Sequence, residues 1–407
     1  MQWTVLRFVG VVLAVTNLQY CDVIAYPAAC FCHKKKAICN GPTIKDVPQD
    51  LPRNIEQLLL QGTNIQKLPK DSFARYSHLA TLSIQKSKLA TIEPHAFRGL
   101  KLLKRLAINE NVHLTELSSN SMSDLNSVRR GKTLDLRRNA FRSIEPRAFA
   151  NTRHVRMLDL RQNPVRTVKA RAFDGLYSVV FMHLPESLRV IESDAFNGLI
   201  RVHYIEIVHW RTAATEPYTF RGIRQIKTIS IHHSHLGTVA PKTFGGMETV
   251  EFLFIFNSEI RAITQASFAS IHNIRLIAFK WCHIYRIDSN LAPLLAHKLI
   301  LLQDNQIDCS CVNAWIAANA SAGGTSNAAK LHNYCMRDRW AGASLQSVAM
   351  AYWNSCLPHR VQRNSPVPRL LTGKGAGVRV TLGRLAISIW VAAVARWLTD
   401  VSASRTV

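Results

Sequence analysis

Histidine, glutamate and cysteine are the side chains here best suited to chemistry, and they are clustered. His183, His203, His209, His232 and His233 crowd one stretch, with Glu206 among them. Imidazoles titrate near neutral pH and bind metals, so such a set reads as a metal site, a pH sensor or a recognition surface. His209 and His233 lie 24 residues apart without a clear third ligand, so neither a metal nor a cofactor is expected. No nucleophile elbow, metalloprotease helix or phosphate loop occurs, and an enzyme is not expected.

The cysteines sit at two ends. Cys30, Cys32 and Cys39 lie near the front, Cys309, Cys311, Cys335 and Cys356 towards the back, and Cys282 falls alone between them. In an exported chain such clusters read as two disulfide-stapled caps, whereas zinc would suit an intracellular protein. Export is supported by Met1 to Tyr20, where Arg7 precedes an apolar run from Phe8 to Val15 that is too short to span a bilayer. We read residues 1–25 as a signal peptide. Cleavage after Ala25 fits the small-residue rule and cleavage after Ala14 is the alternative, which decides whether Cys21 survives.

Between the clusters a periodic frame must position everything else. Phe73 and Phe97, then Phe149, Phe173, Phe196, Phe220, Phe244 and Phe268, recur every 24 residues within each run, with one step of 23 from Phe173 to Phe196. Ahead of Phe173 the frame reads Val155, Leu158, Leu160, Asn163, Val165, Val168; ahead of Phe244 it reads Ile226, Ile229, Ile231, Ser234, Leu236, Val239. Alternation around Leu158 and Leu160 predicts a short strand with one buried face, backed by Val165, Val168 and the Phe. One unit cannot bury that face alone, but stacked units can. Ten units begin near Ile55, Leu79, Leu103, Gly131, Val155, Val179, Val202, Ile226, Val250 and Ile274, with a partial eleventh from His297; the third is stretched.

The frame L-x-x-L-x-L-x-x-N-x-L resembles the extracellular leucine-rich repeat family. That resemblance implies an α/β solenoid: a curved, parallel β-sheet on the concave face, an irregular or 3-10 convex side, and disulfide-stapled caps. It also implies pairing of Cys30 with Cys39, Cys309 with Cys335 and Cys311 with Cys356, leaving Cys32 with Cys21 or with nothing. The ninth position, usually Asn, holds Trp210 in unit seven, a departure from the pattern, and Cys282 in unit ten, which reads as a buried structural thiol. The domains expected are an N-terminal cap at 26–54, repeats at 55–304, a C-terminal cap at 305–356, a basic linker at 357–383 and an apolar tail at 384–407. The tail partly matches a lipid-anchor signal; a short interfacial or transmembrane helix and a plain secreted terminus are the alternatives. Asn319 opens the one evident glycosylation sequon.

On such a scaffold strand positions two, three, five, seven and eight face the concave side. Units six to ten put Phe181, His183, His203, Tyr204, Glu206, His209, His232, His233, Phe252, Phe254, Phe256, Lys280 and Trp281 there. Solvated strands need no such aromatic surface, so it is the candidate ligand face. Units four and five instead stack Asp135 beside Asp159 and Arg137 beside Arg161.

The whole chain carries a formal charge of +25. Residues 131 to 171 alone hold eleven basic against three acidic groups. Arg137, Arg138, Arg142, Arg147, Arg156, Arg161, Arg166 and Arg171 are candidates for a polyanion. Outside a cell that is sulfated glycosaminoglycan or a membrane surface, and nucleic acid is not expected. The expected function is non-enzymatic binding of an extracellular or cell-surface protein on the concave face; the alternative is a secreted matrix protein held by glycosaminoglycan. The C-terminal tail offers a route to membrane attachment.

Overall fold

The computed structural model describes residues 29–125, 131–292, 299–316, 333–336, 341–345, 347 and 356. The segments read as a signal peptide, a linker and a tail lie outside the described residues, as do Cys21 and Asn319.

Each repeat contributes one strand to a sheet of 13. Numbered along this sheet, β1 (Cys30–His33) and β2 (Lys36–Asn40) belong to the N-terminal cap. The repeats supply β3 (Gln57–Gln61), β4 (Thr81–Gln85), β5 (Arg105–Asn109), β6 (Lys132–Asp135), β7 (Arg153–Asp159) and β8 (Leu176–His183). They continue with β9 (Arg201–Val208), β10 (Gln225–His232), β11 (Thr249–Phe256), β12 (Asn273–Lys280) and β13 (Ile300–Gln303). From β2 onward every neighbour is parallel, as a solenoid of identical turns requires, while β1 and β2 form an antiparallel hairpin. That hairpin sits on the edge of the stack, where Ala37 and Cys39 are buried against it.

The core follows the frame. Leu158, Leu160, Val165, Val168 and Phe173 are fully buried, as are Ile229 and Ile231. The phenylalanines stack as a spine, with centroids 5.2–5.9 Å apart at every adjacent pair. In the stretched third repeat Met122 fills the Phe position, wholly buried, and its N–H donates to Ala148 O. A flexible thioether is well suited to an irregular gap.

A second feature was not foreseen in the sequence: the flank carries its own short parallel strands, two from repeats one and two, four from repeats three to six and six from repeat seven to the C-terminal cap. The convex side is otherwise turns, with 3-10 segments at Gln265–Phe268 and Ser289–Leu291.

The ninth-position ladder is built from small polar groups: the Asn111 N–H donates to Asn139 Oδ1 and the Asn139 N–H to Asn163 Oδ1. Trp210 does not end it, because its backbone N–H still donates to Ser234 Oγ. Its buried indole donates to Arg189 O in repeat six, the turn that is one residue short. The extra bulk thus lies against the shortened neighbour. Cys282 holds the same slot, fully buried, with Sγ donating to Ile255 O, and burial pushes its thiol up to about 12.

The disulfides present are Cys30–Cys39, Cys309–Cys335 and Cys311–Cys356. Cys32 is disulfide-bonded too, with a partner outside the described residues, so the alternative that leaves it without one is set aside.

Candidate functional site

Register across the concave sheet explains how distant residues meet. The central row runs Ala107, Asp135, Asp159, His183, Glu206, Ser230, Phe254, Ala278, one residue per strand from β5 to β12. Along it the chemistry changes from ionic to imidazole to aromatic.

At the ionic end, Asp135 and Asp159 are buried rather than solvated. Arg137 grips Asp135 with Nε and Nη2 at 2.9 Å each and lies 3.5 Å from Asp159. Arg161 grips Asp159 at 2.9 and 2.6 Å. Burial alone would raise the Asp135 carboxyl, but Arg137 and the Asn109 amide at 2.7 Å outweigh it and hold it below the usual range. Arg137 and Arg161 are therefore neutralised inside this surface. Arg138 pairs with Glu110 at 3.8 Å and Arg171 with Asp174 at 2.7 Å. Of the eight candidate arginines, Arg142, Arg147, Arg156 and Arg166 have no acidic partner among the described residues.

In the middle, Glu206 lies between two imidazoles: Oε2 is 2.6 Å from His183 Nδ1, and Oε1 is 3.2 Å from His232 Nε2. The expectation of an exposed aromatic and His surface needs correction at His232, which is only 8% exposed, as is its neighbour Glu206. Burial would raise the Glu206 carboxyl, yet the two histidine hydrogen bonds overturn that and push it strongly down. His232 continues to His233, Nδ1 to Nδ1 at 3.0 Å, and the His233 and His209 rings stand 5.7 Å apart. His203 is exposed on the row nearer the strand starts, apart from this chain of contacts. Among the described residues no group of three or more His, Cys, Asp or Glu could hold a metal.

At the aromatic end, Phe252 and Phe254 stack at 5.6 Å and Phe256 lies flat on His232 at 4.8 Å. Phe181 meets Tyr204 edge-on at 6.4 Å. Lys280 sits 4.2 Å over the Trp281 ring and 3.8 Å from Asp304, and Trp281 is 50% exposed. Phe181, Tyr204, Phe252, Phe254 and Phe256 are all half-buried. Arg275, absent from the sequence-derived set, covers Phe252 at 5.5 Å, and its place at position two of repeat ten was the available signal. Arg105, 3.7 Å from Asp135, was likewise missed, though it occupies position three of its repeat.

Comparison with known proteins agrees with this architecture. A model of the BspA type leucine rich repeat region matches residues 142–275 in six copies, and a leucine rich repeat model matches 53–112 and 77–130. Leucine-rich repeat-containing protein 3 of Danio rerio is 26% identical over 102 residues, 24% of this chain and 35% of that protein. Reticulon-4 receptor-like 2 of Homo sapiens is 32% identical over 101 residues, 24% of each chain. The chain thus spans about a quarter to a third of the length of these relatives. A solved chain from the octameric complex of Latrophilin 3 (Lec, Olf), Unc5D (Ig, Ig2, TSP1) and FLRT2 (LRR) is 16% identical, with a TM-score of 0.49 over 82% of this chain and 100% of that one. Two repeat models that together match about half of the chain, carried on eleven stacked parallel strands, mean that the protein belongs to the leucine-rich repeat family.

Proposed function

We propose that the protein is a non-enzymatic recognition molecule that binds another extracellular or cell-surface protein on the concave face of repeats six to ten. The observation that carries this reading is the row of half-buried aromatics from Phe181 to Trp281. The phenylalanine spine already closes the core behind them, so folding does not need them at the surface. Large flat side chains fixed on rigid strands are what dominates interface energetics. The disulfides and the receptor-like relative indicate an extracellular or cell-surface setting. In this reading the segments 26–54 and 305–356 are caps that shield the ends of the stack, and residues 55–304 are the binding array.

The test is a screen of the tagged full chain against a panel of purified extracellular domains, repeated with Phe252→Ser and Phe254→Ser. A genuine ligand should lose at least tenfold in affinity with either variant while thermal melting stays within a few degrees. Partners that all bind the variants as they bind the wild type would refute the concave-face reading.

A further inference from the structure

The structure separates arginines whose charge is neutralised from arginines left open, and the open ones form a line. Arg166 N–H donates to Arg142 O at 3.1 Å, and Arg189 N–H donates to Arg166 O at 2.8 Å. These three therefore occupy one position in successive repeats, just ahead of the flank strands that pair Ser143 with Thr167 and Thr167 with Val190. Arg211, whose N–H donates to Leu188 O next to Arg189, carries the line into repeat seven. All four side chains are exposed, and none has an acidic partner among the described residues. The neighbouring carboxylates are engaged elsewhere. Glu145 accepts from the Ser143 hydroxyl, Glu186 from the Gln162 N–H, and Glu192 pairs with Lys169. Glu116, beside Ser143, is the one acid at the near end of the line.

We propose that Arg142, Arg166, Arg189 and Arg211 form a docking rail for a linear sulfated polysaccharide, separate from the concave face. Parallel strands set one guanidinium about every 4.8 Å along the stacking axis. A guanidinium presents a fixed fork of donors that pairs with two oxygens of one anionic group, and it is weakly hydrated, so it releases water readily. A rail one residue wide suits an anionic chain running along it better than a flat membrane, which would engage a broad face. The disulfides place the protein in an oxidising compartment, which disfavours nucleic acid as the polyanion. Arg189 was not among the sequence-derived candidates, because it lies in the shortened repeat where the register shifts. Arg137 and Arg161 were among them and contribute little, being held by Asp135 and Asp159.

The experiment measures binding of the full chain to immobilised heparin across a range of salt. It compares wild type, Arg142→Ser/Arg166→Ser/Arg189→Ser/Arg211→Ser, and a control of equal charge loss, Lys45→Ser/Arg53→Ser/Arg75→Ser/Lys101→Ser. All eight side chains are exposed and make no ion pair among the described residues, so both variants keep the core intact. The rail variant should bind at least tenfold more weakly, and its salt slope should fall by about three to four. The control should stay within about threefold of wild type, and desulfated heparin should not bind. Equal losses in both variants would reduce the effect to net charge and overturn the proposal. Unchanged binding in the rail variant, or wild-type preference for phosphatidylserine vesicles over heparin, would overturn it as well.

Discussion

Lys132 offers the sharpest test of the energetics. It lies in β6 in register with Val155, at a position that is apolar in other repeats, and its side chain is fully buried. Its one hydrogen bond runs from Nζ to Leu100 O at 3.3 Å. No carboxylate among the described residues pairs with it, and burial pushes the ammonium down to about 8. Against an unfolded value near 10.4, that shift costs the folded state about 3 kcal/mol wherever both forms are protonated. The sign follows from proton counting. Between pH 8 and about 10.4 the unfolded chain holds the proton more tightly, so this penalty fades as pH rises; below pH 8 it is present in full. Lys132→Met keeps the volume and removes the charge, so it should stabilise the protein by about 2–3 kcal/mol at pH 7. By pH 10 most of that advantage should vanish. Guanidinium denaturation of both proteins at pH 7, 8.5 and 10, followed by far-UV circular dichroism, measures the difference directly. Other titrating groups are common to the pair and cancel. A variant less stable than wild type at pH 7, or an advantage that does not shrink with pH, would refute the reasoning.

Other substitutions test other layers of the structure. Gly175 adopts φ of +107°, and a Cβ there would stand 2.5 Å from Ala150 Cα of the preceding repeat. Gly175→Ala should therefore cost more than about 2 kcal/mol in chemical denaturation, against about 1 kcal/mol for Gly41→Ala, which meets strain but no neighbour. Cys282, with its thiol pushed up to about 12, should resist Ellman's reagent in the native protein and react fully once unfolded. Glu206 has a depressed folded-state pKa, so its contribution is present above the unfolded value near 4.3 and is lost as pH falls below it. Thermal melts from pH 6 to pH 3 should accordingly drop more steeply for wild type than for Glu206→Gln, and parallel curves would show that the two histidine bonds do not matter.

The fold was legible because stacking imposes one pattern repeatedly. A residue such as Leu160 or Phe173 meets its own counterparts above and below, so its spacing reports its burial without knowledge of distant segments. Legibility failed where a repeat lost that pattern. Met122 hid the third spine position because its spacing and type both changed. Trp210 read as a break in the ladder, since a sequence position does not say that the backbone can keep the hydrogen bond while the side chain packs against a turn missing one residue. The flank strands were missed for a similar reason: they are two to four residues long, too short for alternation to register.

The candidate surface was legible as a set of positions but not as a set of charges. Position seven placed Arg137 and Arg161 on the concave side, yet only the structure pairs them with Asp135 and Asp159, because which fork meets which carboxylate depends on rotamer and register together. The same uncertainty concealed Lys132, whose apolar slot is evident only once its strand is aligned with Val155. Burial of Glu206 also reverses its meaning, since an exposed carboxylate on a ligand face would steer partners, whereas one held between His183 and His232 organises the rings beside it. The candidate surface is therefore divided. Ion pairs rigidify repeats four and five from within, the buried Glu206 orders the imidazoles of repeats six to eight, and the aromatic rings beyond them keep exposed area. A partner that uses the rings should depend on hydrophobic burial and little on salt, whereas anything held on the arginine flank should depend steeply on it.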